Sequence, residues 1–360
     1  MSNGLENVVA AETVLSDVDG LAGRLVIRGL PLGVIAGRMS AEEVTALLWQ
    51  DFFAGLPGDL KAPLAAARVF VWQELSPYLP GVAGLSIFDG LRALVARLPD
   101  GEGVADAFSL VAAPAVLVPA LIRQRSGLAP LRPNPDIGQA ADMLRMLEGR
   151  DADPARVAAL DTYLVTVADH GLNASTFAAR VVASTGAGLT SSVLAALGAL
   201  KGPLHGGAPG PVLDMLDAIG SADRAEAWIE NELAAGRRLM GFGHRIYRVR
   251  DPRADALGAA IERLRQSGAG DADRLALAAT VETAALAALA RHKPDRPLAT
   301  NVEFYTALLL EAVGFPRDAF TPVFAAGRVS GWLAHAREQA TGGKLIRPKS
   351  LYVGPVPLAA

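Results

Sequence analysis

The strongest constraint on this chain is the period of its apolar residues. From residue 40 onward hydrophobic side chains recur at spacings of three and four, and long β-branched runs suited to a parallel sheet are absent. Ser40-Ala41-Glu42-Glu43 has the pattern of a capping box and opens a helix that runs through Leu48. Residues 87–98 place Leu91, Leu94 and Leu98 on one face. The same period predicts helices over residues 154–167, 173–184, 191–200, 212–219, 225–235, 254–264, 275–289 and 302–313. Strand character is confined to the opening. There residues 13–16, the turn pair Asp19-Gly20 and residues 24–27 predict a small antiparallel ribbon leading into Arg28-Gly29. No repeat of 20–50 residues and no low-complexity linker divides the chain. The expected fold is therefore all-α, with a small N-terminal β ribbon and short connections marked by glycine and proline.

A chain of 360 residues with 51% apolar composition can bury a large core, in one large or two medium domains. Residues 104–122 are apolar enough to raise the question of a membrane span. Asp106, Pro114 and Pro119 within them predict a buried, kinked helix instead. The net charge is −3 with both signs interspersed, so neither a nucleic-acid surface nor a membrane surface is expected. Cysteine is absent, which excludes disulfides, a thiol nucleophile and Cys-ligated zinc and agrees with a cytoplasmic location. Residues 1–12 carry acids and no apolar block, unlike a secretory leader.

Five histidines occur, and three stand in loop contexts rich in glycine. His205 lies in Lys201-Gly202-Pro203-Leu204-His205-Gly206-Gly207, His244 follows Gly241-Phe242-Gly243, and His170 lies between Asp169 and Gly171. Glycine lets backbone approach a ligand and exposes N–H donors, and histidine moves protons near neutral pH. A loop histidine that merely bonds a carbonyl is the competing reading for each one. His292 and His335 sit on helical patterns and read as structural. No His-x-x-x-His pair or carboxylate cluster supports a metal site, no complete phosphate loop is present, and no Gly-x-Ser-x-Gly elbow supports a serine hydrolase. Arg253, Arg328 and Arg347 add forks that can clamp carboxylates. With the three histidines they would suit a small polycarboxylate. A surface role stays open for each arginine taken alone.

Residues 241–253, Gly-Phe-Gly-His-Arg-Ile-Tyr-Arg-Val-Arg-Asp-Pro-Arg, match at every defined position the signature of a known family. Residues 168–176, 200–208, 301–305 and 347–350 form further matching blocks in the expected order. Over essentially its whole length the chain resembles the citrate synthases. The resemblance implies an all-α homodimer with a large domain (1–207 and 319–360) and a small mobile domain (208–318) closing over a cleft. It also implies condensation of acetyl-CoA with oxaloacetate and water to give citrate and CoA through an enolate. No cofactor would be permanently bound, since acyl-CoA is itself the substrate. By that likeness His205 stabilises the enol, His244 polarises the ketone and Glu303 is the base. His170, Arg253 and Arg328 bind oxaloacetate, with Arg347 donated across the dimer. Met240, Gly241, Phe242 and Gly243 receive the adenine part of CoA.

The chain departs from the family pattern at three places. Glu303 replaces the usual aspartate, Pro209-Gly210 replaces Asn-Glu, and Gly171 stands where glutamate is common. These leave two alternatives: a 2-methylcitrate synthase using propionyl-CoA, or a weakly active or non-catalytic paralogue. Retention of the three histidines and three arginines favours an enzyme, with Glu303 as its working base.

Overall fold

The computed structural model describes residue 5 and residues 8–207, 209–243, 249–295 and 298–355. Its sheet is an antiparallel meander of β1 (Ser16–Asp19), β2 (Arg24–Ile27) and β3 (Leu30–Pro31), with Ser16 paired to Ile27. The ribbon is thus present, but its first strand starts at Ser16 and not at residue 13. Residues 13–15 are drawn elsewhere: the Val14 N–H donates to Glu338 on the C-terminal helix, and Leu15 is buried. Asp19 Oδ1 accepts the N–H groups of Leu21 and Ala22, and so forms the turn.

Helices account for the rest. α1 (Leu32–Ile35), α2 (Ala41–Trp49), α3 (Lys61–Leu75), α4 (Ile87–Val95) and α5 (Val104–Arg125) form the first group. They are followed by α6 (Gln139–Glu148), α7 (Pro154–Thr166), α8 (Ala174–Ala183) and α9 (Leu189–Leu200). Then come α10 (Gly210–Ile219), α11 (Ala225–Ala234), α12 (Pro252–Ser267), α13 (Ala272–His292), α14 (Val302–Ala312) and α15 (Phe320–Gly342). The capping box at α2 is complete: Glu43 N–H donates to Ser40 Oγ at 3.2 Å, and Ser40 N–H donates to Glu43 Oε2 at 2.7 Å. Asn173, Asp251 and Asn301 cap α8, α12 and α14 in the same local way.

α5 is a core helix, buried without a break from Leu110 to Ile122 and packed against α3, α6 and α15. The expectation of a buried helix over residues 104–122 holds. α3, α6 and α15 carry no prediction of their own. For α15 the cause is clear: it is buried on every side from Val329 to Ala336, so its apolar residues show no one-sided period. α15 also lies unusually close to the end of α7. A Cβ at Gly331 would overlap the Ala168 carbonyl, and one at Gly327 would overlap Val167. α11 packs on α13 and α10 on α14, while α12 lies between α7 and α14, with its larger contact on α7, and α14 also rests on α7.

Candidate active site

Asn173 organises the first side of the site. Its Oδ1 accepts the backbone N–H groups of Ser175 and Thr176 at 3.0 and 3.1 Å, which starts α8. Ser175 Oγ lies 2.8 Å from that same Oδ1 and 2.8 Å from His205 Nε2, and it accepts the Trp332 indole N–H at 3.2 Å. A hydroxyl has one proton to give, and an amide oxygen has two lone pairs. The Ser175 proton has two acceptors in reach, Asn173 Oδ1 and His205 Nε2. When it turns to His205 Nε2, the imidazole proton sits on Nδ1 and the neutral ring is a donor there. Burial, and after it the Arg328 charge, push the His205 pKa down to about 4, so the ring is neutral at physiological pH.

The second side is cationic. Arg328 on α15 is fully buried, and its Nε donates to the Val167 carbonyl. Its Nη1 and Nη2 find no partner among the described residues. The guanidinium stacks 4.8 Å from the Phe324 ring, and His205 meets the same ring edge-on at 6.4 Å. Burial pulls the Arg328 pKa down to about 10, against the opposing charge of Asp169. Arg253, in the first turn of α12, holds both carboxylate oxygens of Asp251, with Nε at 3.1 Å and Nη2 at 2.7 Å. The sequence left a surface role open for Arg253 and Arg328, and the structure buries both.

Glu303 completes the group. It stands in the first turn of α14, with its N–H donating to Asn301 Oδ1 at 3.0 Å. Burial raises its pKa to about 7, Arg253 opposes that rise, and Asp251 adds to it. His170 is held well below its ordinary value by burial first, then by Arg328, Arg253 and His205. His170 thus lies in the fields of Arg328, Arg253 and His205, and Glu303 in those of Arg253 and Asp251. Arg347 does not join them: it is exposed on the irregular segment after α15, with no ion pair or hydrogen bond to them among the described residues. His244 lies outside the described residues.

The glycine loop sits against the same helix start. Gly241 and Gly243 have φ of +87° and +79°, in the left-handed region, and a Cβ on Gly241 would lie 2.9 Å from Phe304. Phe242 pairs with Thr300, Asn301 N–H donates to the Gly241 carbonyl at 2.9 Å, and Asn301 Nδ2 donates to the Gly243 carbonyl at 2.8 Å. Loop 241–243 and Glu303 therefore form one unit. Met240 is exposed at its edge.

Several supporting residues escape a sequence reading. Ser175 and Trp332 hold His205, and Phe324 seats both His205 and Arg328. His335 is buried, as its helical context suggested, but it is tied to the site. Its Nδ1 accepts from Arg180 at 2.9 Å and its Nε2 faces Asp169 at 3.2 Å. Burial works against the Asp169 charge, yet His335, Arg328 and Ser16 hold its carboxyl below the usual range. Asp169 immediately precedes His170, so this network braces the turn that presents His170. No local sequence signal marks these partners, because apart from the Phe324–Arg328 stack on α15 the contacts join residues distant in the chain.

A carboxyl poised near neutrality, a neutral imidazole donor and a guanidinium with two open nitrogens can abstract a weakly acidic proton beside a bound carboxylate. No cluster able to hold a metal occurs among the described residues.

The chain is similar to known proteins over nearly its whole length. The family profile described as citrate synthase, C-terminal domain, matches residues 4–349. A putative citrate synthase 2 of Mycobacterium tuberculosis is 39% identical over 365 residues, covering 98% of this chain and 93% of the relative. A 2-methylcitrate synthase of the same species is 34% identical over 367 residues, covering 98% and 91%. The citrate synthase of Thermoplasma acidophilum, solved as a ternary complex with carboxymethyl coenzyme A and oxaloacetate, superposes with a TM-score of 0.86 at 27% identity, covering 100% of this chain and 98% of that one. The helical architecture and these full-length likenesses place the chain in the citrate synthase family.

Proposed function

We propose that this chain condenses acetyl-CoA with oxaloacetate and water, releasing citrate and CoA. The observation that carries the reading is a Glu303 carboxyl whose pKa is raised to about 7 in the field of Arg253, with the open Arg328 guanidinium in the field of Arg253 and acting on the neutral His205. Glu303 takes a proton from the thioester methyl group. His205 Nδ1–H stabilises the enolate oxygen, and His244 polarises the oxaloacetate ketone. The enolate carbon then bonds to the ketone carbon, and water cleaves the resulting thioester to free CoA. His170, Arg253 and Arg328 hold the oxaloacetate carboxylates. Residues 240–243 present backbone to the CoA adenine, and residues 208–318 close as a small domain over the cleft and exclude water until hydrolysis. The Arg253 charge acts on the raised Glu303 carboxyl, which supports a working base over a non-catalytic paralogue. The test is thiol release by purified protein with oxaloacetate and acetyl-CoA, with propionyl-CoA in parallel. Oxaloacetate-dependent release with acetyl-CoA is expected, and release with neither acyl-CoA would sink the proposal.

Two expected results test the anion side. Arg328→Met removes two unpaired buried donor groups along with the charge. Oxaloacetate affinity should fall by about 1.5–3 kcal/mol, the usual worth of charged hydrogen bonds. The ligand-free protein should melt close to the parent, because removing a buried charge with two unpaired nitrogens offsets the lost bond to the Val167 carbonyl and the lost support of Asp169. Calorimetric titration and thermal melts check both parts. Arg347 belongs, in this proposal, to the partner's site in a homodimer. Arg347→Ala should keep the dimer on size exclusion yet weaken oxaloacetate by about 1.5–3 kcal/mol. Unchanged affinity would remove Arg347 from the site.

A further inference from the structure

Glu282 on α13 lies outside every family block, yet it is bonded on both sides of Glu303. One oxygen, Oε1, accepts from Thr300 Oγ1 at 2.6 Å and from the Tyr305 hydroxyl at 2.5 Å. Thr300 is buried, pairs with Phe242 of the glycine loop and precedes Glu303 by three residues. Tyr305 follows Glu303 by two residues on α14, and its hydroxyl also lies 3.4 Å from Arg250 Nη2. The Asn301 bonds join Glu303 to the loop, and α14 packs on α7, α10 and α12. Glu282 ties the unit to α13.

We propose that Glu282 is a positioning residue that fixes the start of α14, and with it the Glu303 carboxylate, relative to the cleft. This rests on the reading of Glu303 as the base. Glutamate has one more rotatable bond than aspartate, so its carboxylate depends more on an immobile backbone. A displacement of about 1 Å at a reacting group can cost on the order of 10²-fold in rate. Both hydrogen bonds end on a single oxygen with two lone pairs, so a glutamine amide oxygen can accept both. A carboxylate needed for its charge would not tolerate that exchange.

The experiment compares Glu282→Ala, Glu282→Gln, Tyr305→Phe and Thr300→Val by thiol release, each at a temperature where its melt shows it folded. In Glu282→Ala and Tyr305→Phe, kcat should fall about 10–100-fold with the oxaloacetate KM within about threefold. Glu282→Gln should stay within about threefold of the parent in both constants. If Glu282→Ala does not fold, Tyr305→Phe and Thr300→Val decide by the same split. Parental kcat with only a lower Tm would make Glu282 merely structural and overturn the proposal. So would a Glu282→Gln enzyme as slow as Glu282→Ala. Glu303→Gln separates the two levels. If it turns over normally, the reading of the base fails. If it is inactive while Glu282→Ala is normal, only the positioning role fails.

Discussion

Glu303→Gln should lose about 10²–10⁴-fold of its oxaloacetate-dependent thiol release and remain folded, as expected for removal of a positioned general base. In the parent, kcat/KM should rise as pH passes through about 7, because the ionised carboxylate is the active form. His205 stays neutral across that range, so it adds no limb there. The same group carries a stability signature of opposite sense. Its folded pKa, near 7, lies above the ordinary 4.5, so the fold favours the protonated form. That contribution is complete below about 4.5 and is lost as pH rises through about 7. Glutamine cannot ionise. At pH 8 Glu303→Gln should therefore exceed the parent in stability, by on the order of 2 kcal/mol for a partly exposed carboxyl. Denaturant midpoints at pH 5.5 and 8 measure the gap, and a gap that does not widen with pH would refute the burial argument. Glu303→Asp should give no faster enzyme. A tenfold gain would show a site still shaped for aspartate.

His205→Ala should lower kcat by roughly 10²–10³, the usual loss for one oxyanion donor. The rise in rate near pH 7 should survive in the variant, since Glu303 still titrates. Folding should be little affected. Ser175 keeps its contacts to Asn173 and Trp332, and one lost hydrogen bond costs about 1 kcal/mol. Turnover within a few-fold of the parent, measured by thiol release under saturating substrates, would make His205 a structural histidine that happens to cap the Ser175 network.

Such states of charge were not legible in the sequence, whereas much of the framework was. The capping box at Ser40–Glu43 and the three-and-four period of α4 act within a few residues, so reading them needs no knowledge of the fold. The glycine spacing around His205, and the strand-like opening followed by helices, were legible for the same reason. α15 was not, because a helix enclosed on all sides carries no amphipathic signature. Its burial decides the site: it brings Phe324, Arg328, Trp332 and His335 to residues about 120–170 positions earlier in the chain. Burial then sets the protonation of His205, Glu303 and Arg328 through desolvation, a property of the surrounding packed atoms and not of the residue type. Glu282 shows the same division. Its sequence context is an ordinary exposed turn of an alanine-rich helix, and only the packing of α13 beside the start of α14 gives its carboxylate two hydroxyls to hold.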